Sequence, residues 1–216
     1  SSTVFQMWVD PNTAGATPGQ LAAIAAAGPV FSLTLGAIGW TLYRWRFRQR
    51  PSGLVFLMLA TVCIYSFLGP MSVAALGGDF NRTLTCLNWP KTALLVVSGA
   101  GLVALATFMF FMGWELVRWA PRGFGRVKAV AYTTVAPMLI GGFLLLAVYW
   151  PLPSFMVTPT LTGNAFWVFA IAGAISGHSA VTGTVEPVSS FTKSDLFVLI
   201  VALAIVRSFV HGVRLG

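Results

Sequence analysis

The sequence predicts an all-α integral membrane protein with about six transmembrane helices, several of them kinked by proline or glycine. Three observations predict it. Charged residues make up 8% of the 216 residues, where a soluble domain carries roughly a quarter, too few to cover a water-facing surface. The apolar residues, 57% of the chain, come in long unbroken blocks, a pattern that lipid explains and a soluble core does not. The basic residues collect in two short stretches between those blocks. Together these leave a single polytopic membrane domain over residues 20–216, preceded by a short segment, residues 1–19.

Residues 1–19 are mixed and turn-rich. Val4–Val9 reads as a short strand or an interfacial stretch with Trp8 at the headgroup level, broken at Asp10-Pro11-Asn12. The first span covers residues 20–43, with a kink at Pro29. Arg44, Arg46, Arg48 and Arg50 follow at once, interleaved with Trp45 and Phe47. The second span, 53–76, contains the kink signal Gly69-Pro70. Residues 77–91 form the longest polar connection. The third span, 92–117, carries a small-residue face at Ser98, Gly99 and Gly101 for close helix contact. A second basic loop holds Arg118, Arg122, Arg126 and Lys128. The fourth span, 130–150, contains Pro137 and Gly141-Gly142. A proline-rich, uncharged loop, 151–163, leads to a fifth segment, 166–185, rich in small residues, and a sixth span at 196–210.

The net charge of +8 suggests nucleic acid only when the basic residues share one soluble face. Here they flank apolar blocks, so the reading is lipid bilayer as partner and no nucleic acid. As cytoplasmic anchors, the eight residues of the two basic stretches set the topology: N-terminus, 77–91 and 151–163 outside the cytoplasm. Arg207 and Arg214 then argue mildly against a sixth crossing, unless the fifth segment is re-entrant. An external N-terminus inserts more easily behind an upstream signal or span, so the start at Ser1 fits the loss of such a segment. The expected location is the cell membrane, in a bacterium the inner membrane.

Ionisable groups at membrane depth are functional candidates by default. His178, inside the fifth segment, is the candidate cofactor-binding residue, a ligand for haem or pigment. Its alternative is a neutral imidazole bonded to a neighbouring carbonyl or hydroxyl. Glu115 stands three residues before Arg118, the spacing of a local ion pair. Asp79 is placed to cap a short helix in the 77–91 connection. Asn81-Arg82-Thr83 fits a glycosylation sequon. Cys63 and Cys86 lie in different settings, which predicts free thiols rather than a disulfide. No catalytic residue and no metal ligand set can be named: there is no HExxH, no CxxC, no phosphate-binding loop and no deep carboxylate pair.

Ser176 and the later His211 resemble the serine and histidine of rhomboid intramembrane proteases. The run Ala174-Ile175-Ser176-Gly177 lacks that family's first glycine, which favours a packing surface. The segment from Thr17 to Leu33, with Gly28-Pro29 inside a helix that follows the strand-like Val4–Asn12 stretch, resembles site-2-protease-like membrane metallopeptidases over roughly residues 1–80. That resemblance implies a zinc site of two histidines and an aspartate, with a glutamate as general base. The HExxH residues are lacking, so it implies a truncated or inactive relative. Ala23 and Ala27 form a small-xxx-small face similar to the contact helix of vitamin-uptake components, which implies a small-molecule transporter component. The leading expectation is a non-catalytic polytopic subunit or scaffold that packs with other membrane protein subunits in a larger complex. It rests on few deep polar groups, abundant small residues and 13% aromatic residues.

Overall fold

The computed structural model describes residues 15–121, 123–140 and 154–181, the last of these with side chains over 165–180. Several expectations lie outside the described residues: the Val4–Val9 strand, Arg122, Gly141-Gly142, the far half of the fourth span, the sixth span and His211. Among the described residues the chain is all-helical, without a strand. Three helical stretches are long and apolar enough to cross a membrane: Pro18–Phe47, Gly53–Ser72 and Lys91–Trp119. The described chain divides into two compact units, one ending at Ile64 and one spanning Tyr65–Pro187, and each is taken by itself.

In the first unit, helix α1 (Pro18–Leu42) starts where the sequence supplies a cap. The Gln20 N–H donates to Thr17 Oγ1 at 3.3 Å, and the Thr17 N–H donates to Gln20 Oε1 at 2.9 Å. This reciprocal box satisfies two donors that a first helical turn leaves over, and Pro18 lacks the third. The helix runs on through Pro29 and ends in a π-helical turn, Tyr43–Phe47. Helix α2 (Gly53–Ser72) begins after a hydrogen-bonded turn, in which the Gly53 N–H donates to the Arg50 carbonyl at 2.8 Å.

Gly36 of α1 meets Ile64 of α2, and Gly39 meets Ala60 and Phe56, so the two helices run antiparallel. A Cβ at Gly36 would stand 2.6 Å from Ile64 Cγ1, and one at Gly39 would stand 3.3 Å from the Ala60 nitrogen. Glycine is what lets the backbones come this close. Tyr43, Leu57 and Ala60 are wholly buried.

In the second unit, α2 stops at Ser72 rather than reaching residue 76. Pro70 lies within its last turn, and the Ser72 hydroxyl donates back to the Gly69 carbonyl at 2.6 Å. The 77–91 connection is itself largely a helix, α3 (Gly78–Cys86). It is amphipathic, with Leu84 buried and Phe80 edge-on to Phe67 at 5.3 Å. Asn88 closes it in the left-handed region at φ +57°, with the Trp89 N–H returning to the Leu84 carbonyl. Helix α4 (Lys91–Leu116) ends in a 3-10 turn, Val117–Trp119. Helix α5 (Arg126–Val130) passes through a second π-turn, Ala131–Val135, and residues 136–140 remain helical.

Helix α6 (Ser154–Val181) begins inside the stretch expected to be loop up to residue 163. Its 28 residues, at about 1.5 Å each, make it about as long as its partner α4, along which it lies. Position pairs rise together, Leu105 clustering with Phe166, Phe110 meeting Gly173 and Trp114 meeting Gly177, so α4 and α6 are parallel.

Candidate functional site

Among the described residues, the closest approach of two helices occurs where α6 presents Ala170, Gly173, Ala174 and Gly177 to α4. These four positions follow the i, i+3, i+4, i+7 spacing of one helical face. A Cβ on Gly113 would overlap the Ala170 carbonyl, and one on Gly173 would overlap the Phe110 carbonyl. Backbone therefore lies against backbone, the arrangement that small residues permit in lipid. Leu105, Met109 and Ala170 form one buried cluster along this contact; Val117, Ala129, Val130 and Ala174 form another at its end.

His178 sits just past that end. Its Nε2 lies 3.3 Å from the Phe124 carbonyl, in the connection between α4 and α5. A carbonyl only accepts, so Nε2 carries the proton in this bond. The imidazole thereby ties the α4–α5 connection to α6. Ser176 is on the opposite, exposed face, where its carbonyl accepts from the Ser179 hydroxyl at 3.0 Å.

Glu115 is buried at 6% exposure, and its Oε2 stands 3.4 Å from Arg118 Nε. The i,i+3 ion pair expected near the end of the third span is formed, at the end of α4. Near it, Thr133 and Thr134 are buried within the second π-turn. The Thr133 hydroxyl donates to the Ala129 carbonyl at 2.8 Å, a local back-bond that spares its desolvation.

Of the described basic residues in these stretches, most are held on helical structure rather than in open loops. Arg44 and Arg46 lie in the first π-turn, Arg48 and Arg50 in the turns after it, Arg118 in the 3-10 turn, and Arg126 and Lys128 on α5. Arg44 stacks over Trp40 at 5.8 Å and Arg50 over Phe47 at 6.0 Å, while Phe47 itself stacks on Phe56.

Asp79 is in the first turn of α3 but caps nothing: Gly77 holds the cap position, without a side-chain bond. Its carboxylate favours that helix end through the dipole alone. Asn81, the sequon residue, donates its amide to the Ala74 carbonyl at 2.8 Å, which ties up the nitrogen a glycan would need. Cys63 and Cys86 are free and half-buried. The small-residue face expected at Ser98, Gly99 and Gly101 divides. Ser98 and Gly101 are buried, and Gly99 looks outward with nothing within 4 Å.

Three features escaped the sequence reading. The two π-turns have no residue signature, since Tyr43–Phe47 and Ala131–Val135 read as ordinary helix. Gly113 stands alone among large residues, and only pairing with the small face of α6 shows its use. Ser98 was read as a small residue, whereas its hydroxyl accepts the Ala75 N–H at 2.8 Å. Among the described residues no three of His, Cys, Asp and Glu come together as a metal-binding group. No known protein family, curated protein or solved structure matches this chain.

Proposed function

We propose that this chain is a non-catalytic, helix-packing subunit of a larger membrane complex, crossing the cell membrane about six times with its arginine-rich turns in the cytoplasm. The parallel run of α4 and α6 supports the crossing pattern. The chain between them has to return to its starting side, which residues 126–150 are long and apolar enough to do. The polar side chains near the bundle support a structural role: His178 and Ser98 each hold a neighbouring segment, and Glu115 is paired with Arg118.

One observation carries the subunit reading. Helix α1 has two faces rich in small residues, and among the described residues only one is buried. Ala22, Ala25, Pro29, Gly36 and Gly39 are buried, whereas Ala23, Ala27, Val30, Thr34, Ala37 and Thr41 are exposed. The exposed set alternates spacings of four and three, the seam by which helices pair. Small residues on a seam let a second helix approach closely, whereas a face turned only to lipid gains nothing from them. The Thr34 and Thr41 hydroxyls bond to carbonyls one turn back, at 2.9 and 2.8 Å, so the seam is already neutralised for burial.

Purification in mild detergent tests this. The wild-type chain is expected to bring a partner membrane protein with it. The paired substitution Ala27→Leu and Thr34→Leu is expected to release that partner while α1 and α2 stay packed. A wild-type chain that runs alone and monodisperse would overturn the proposal.

A further inference from the structure

The first π-turn and the residues after it form the most concentrated positive patch among the described residues. Four arginines fall between Arg44 and Arg50. The patch is ordered. The Arg50 N–H donates to the Phe47 carbonyl at 3.0 Å, and Tyr43 is wholly buried beneath it. Rings of its own unit hold two guanidinium groups in place, Trp40 under Arg44 and Phe47 under Arg50. Between them Arg46 is exposed, and Trp45 is 89% exposed at the end of a membrane-spanning helix. An indole that far from its own protein is placed where tryptophans prefer to sit, at the level of lipid headgroups.

From this we infer that the turn Tyr43–Arg50 binds the headgroup of an anionic phospholipid, with the arginine side chains on its phosphate and Trp45 lodged among the neighbouring headgroups. The inference rests on the membrane-embedded reading but not on the subunit role. Guanidinium suits the task, because its planar fork meets two phosphate oxygens at once and is more weakly hydrated than an ammonium. Stacking on Trp40 and Phe47 orders two of the four side chains beforehand, so less freedom is lost on binding. Clusters of this size next to a membrane helix gain affinity for anionic lipid with each added charge.

The test is native mass spectrometry of the purified chain, offered phosphatidylglycerol or phosphatidylcholine at equal concentration. Phosphatidylglycerol adducts are expected to dominate. Arg46→Gln should weaken them about fivefold, the effect of one arginine near a lipid surface, and Arg46→Lys should restore most of the loss. Circular dichroism of each variant checks that the helices persist. Equal retention of the two lipids, or an Arg46→Gln variant that binds as the wild type does, would overturn the assignment. So would full displacement of the lipid by millimolar inorganic phosphate, which would make the turn a site for free anions. Lipid preference is read in detergent, so it is judged separately from whether a partner protein co-purifies.

Discussion

At the scale of single residues, Ser98 shows what a polar side chain does among long apolar helices. The backbone unwinds after Ser72, leaving the Ala75 N–H beyond the last helical turn, and the Ser98 hydroxyl on α4 takes that donor at 2.8 Å. In hydrocarbon no water stands ready to replace it. Ser98→Ala removes the acceptor and keeps the size, so it is expected to lower stability by about 0.6 kcal/mol and at most about 1.7 kcal/mol. Thermal unfolding in detergent measures it, with Ser98→Thr as the variant that keeps the hydroxyl. The same logic applies to His178, whose ring nitrogen meets the Phe124 carbonyl from 54 positions away. The polar ring of His178 was plain in the sequence, whereas Ser98 was read only for its size. Their partners are backbone groups, which every residue carries, so no residue type points to them.

At the scale of elements, the contact between α4 and α6 is set by glycines that have no room to change. Gly173→Leu drives a side chain into the Phe110 backbone, which cannot yield as a flexible side chain would. It is expected to cost about 3 kcal/mol or more and to broaden the protein's elution from a sizing column. Gly99→Ala, on the open face of α4, is expected to leave both readouts unchanged, and equal damage from the two would refute the contact. Helix positions were legible because apolar length alone decides them: α1 and α4 begin and end within a few residues of the spans read at 20–43 and 92–117. Element ends were less so. Residues 154–163 looked like loop because of Pro159, the prolines just before them and their lack of charge. Yet α6 runs on through Pro159 in its second turn, and its 28 residues come close to the 26 of α4. The small-residue face of α4 was read as a block, and only the neighbour's position separates Ser98 and Gly101 from Gly99.

At the scale of the molecule, sidedness is the property that the arginines are expected to decide. In spheroplasts a membrane-impermeant maleimide is expected to label Cys86, on α3, from outside. A Gln49→Cys substitution in a Cys86→Ser background should react only once the membrane is opened, since residue 49 lies in the exposed arginine turn. The reverse pattern would invert the topology. The parallel pairing of α4 with α6 also has a consequence for synthesis. Chain neighbours such as α1 and α2 can pair as a hairpin as soon as both have left the ribosome. The groove at Gly113 cannot be filled that way, because its mate α6 begins only after α5 and the residues that follow it have been made. Until Ser154–Val181 is made, lipid tails or an insertion chaperone must occupy that groove. A ribosome stalled before residue 154 would therefore hold an intermediate with its tightest seam still open.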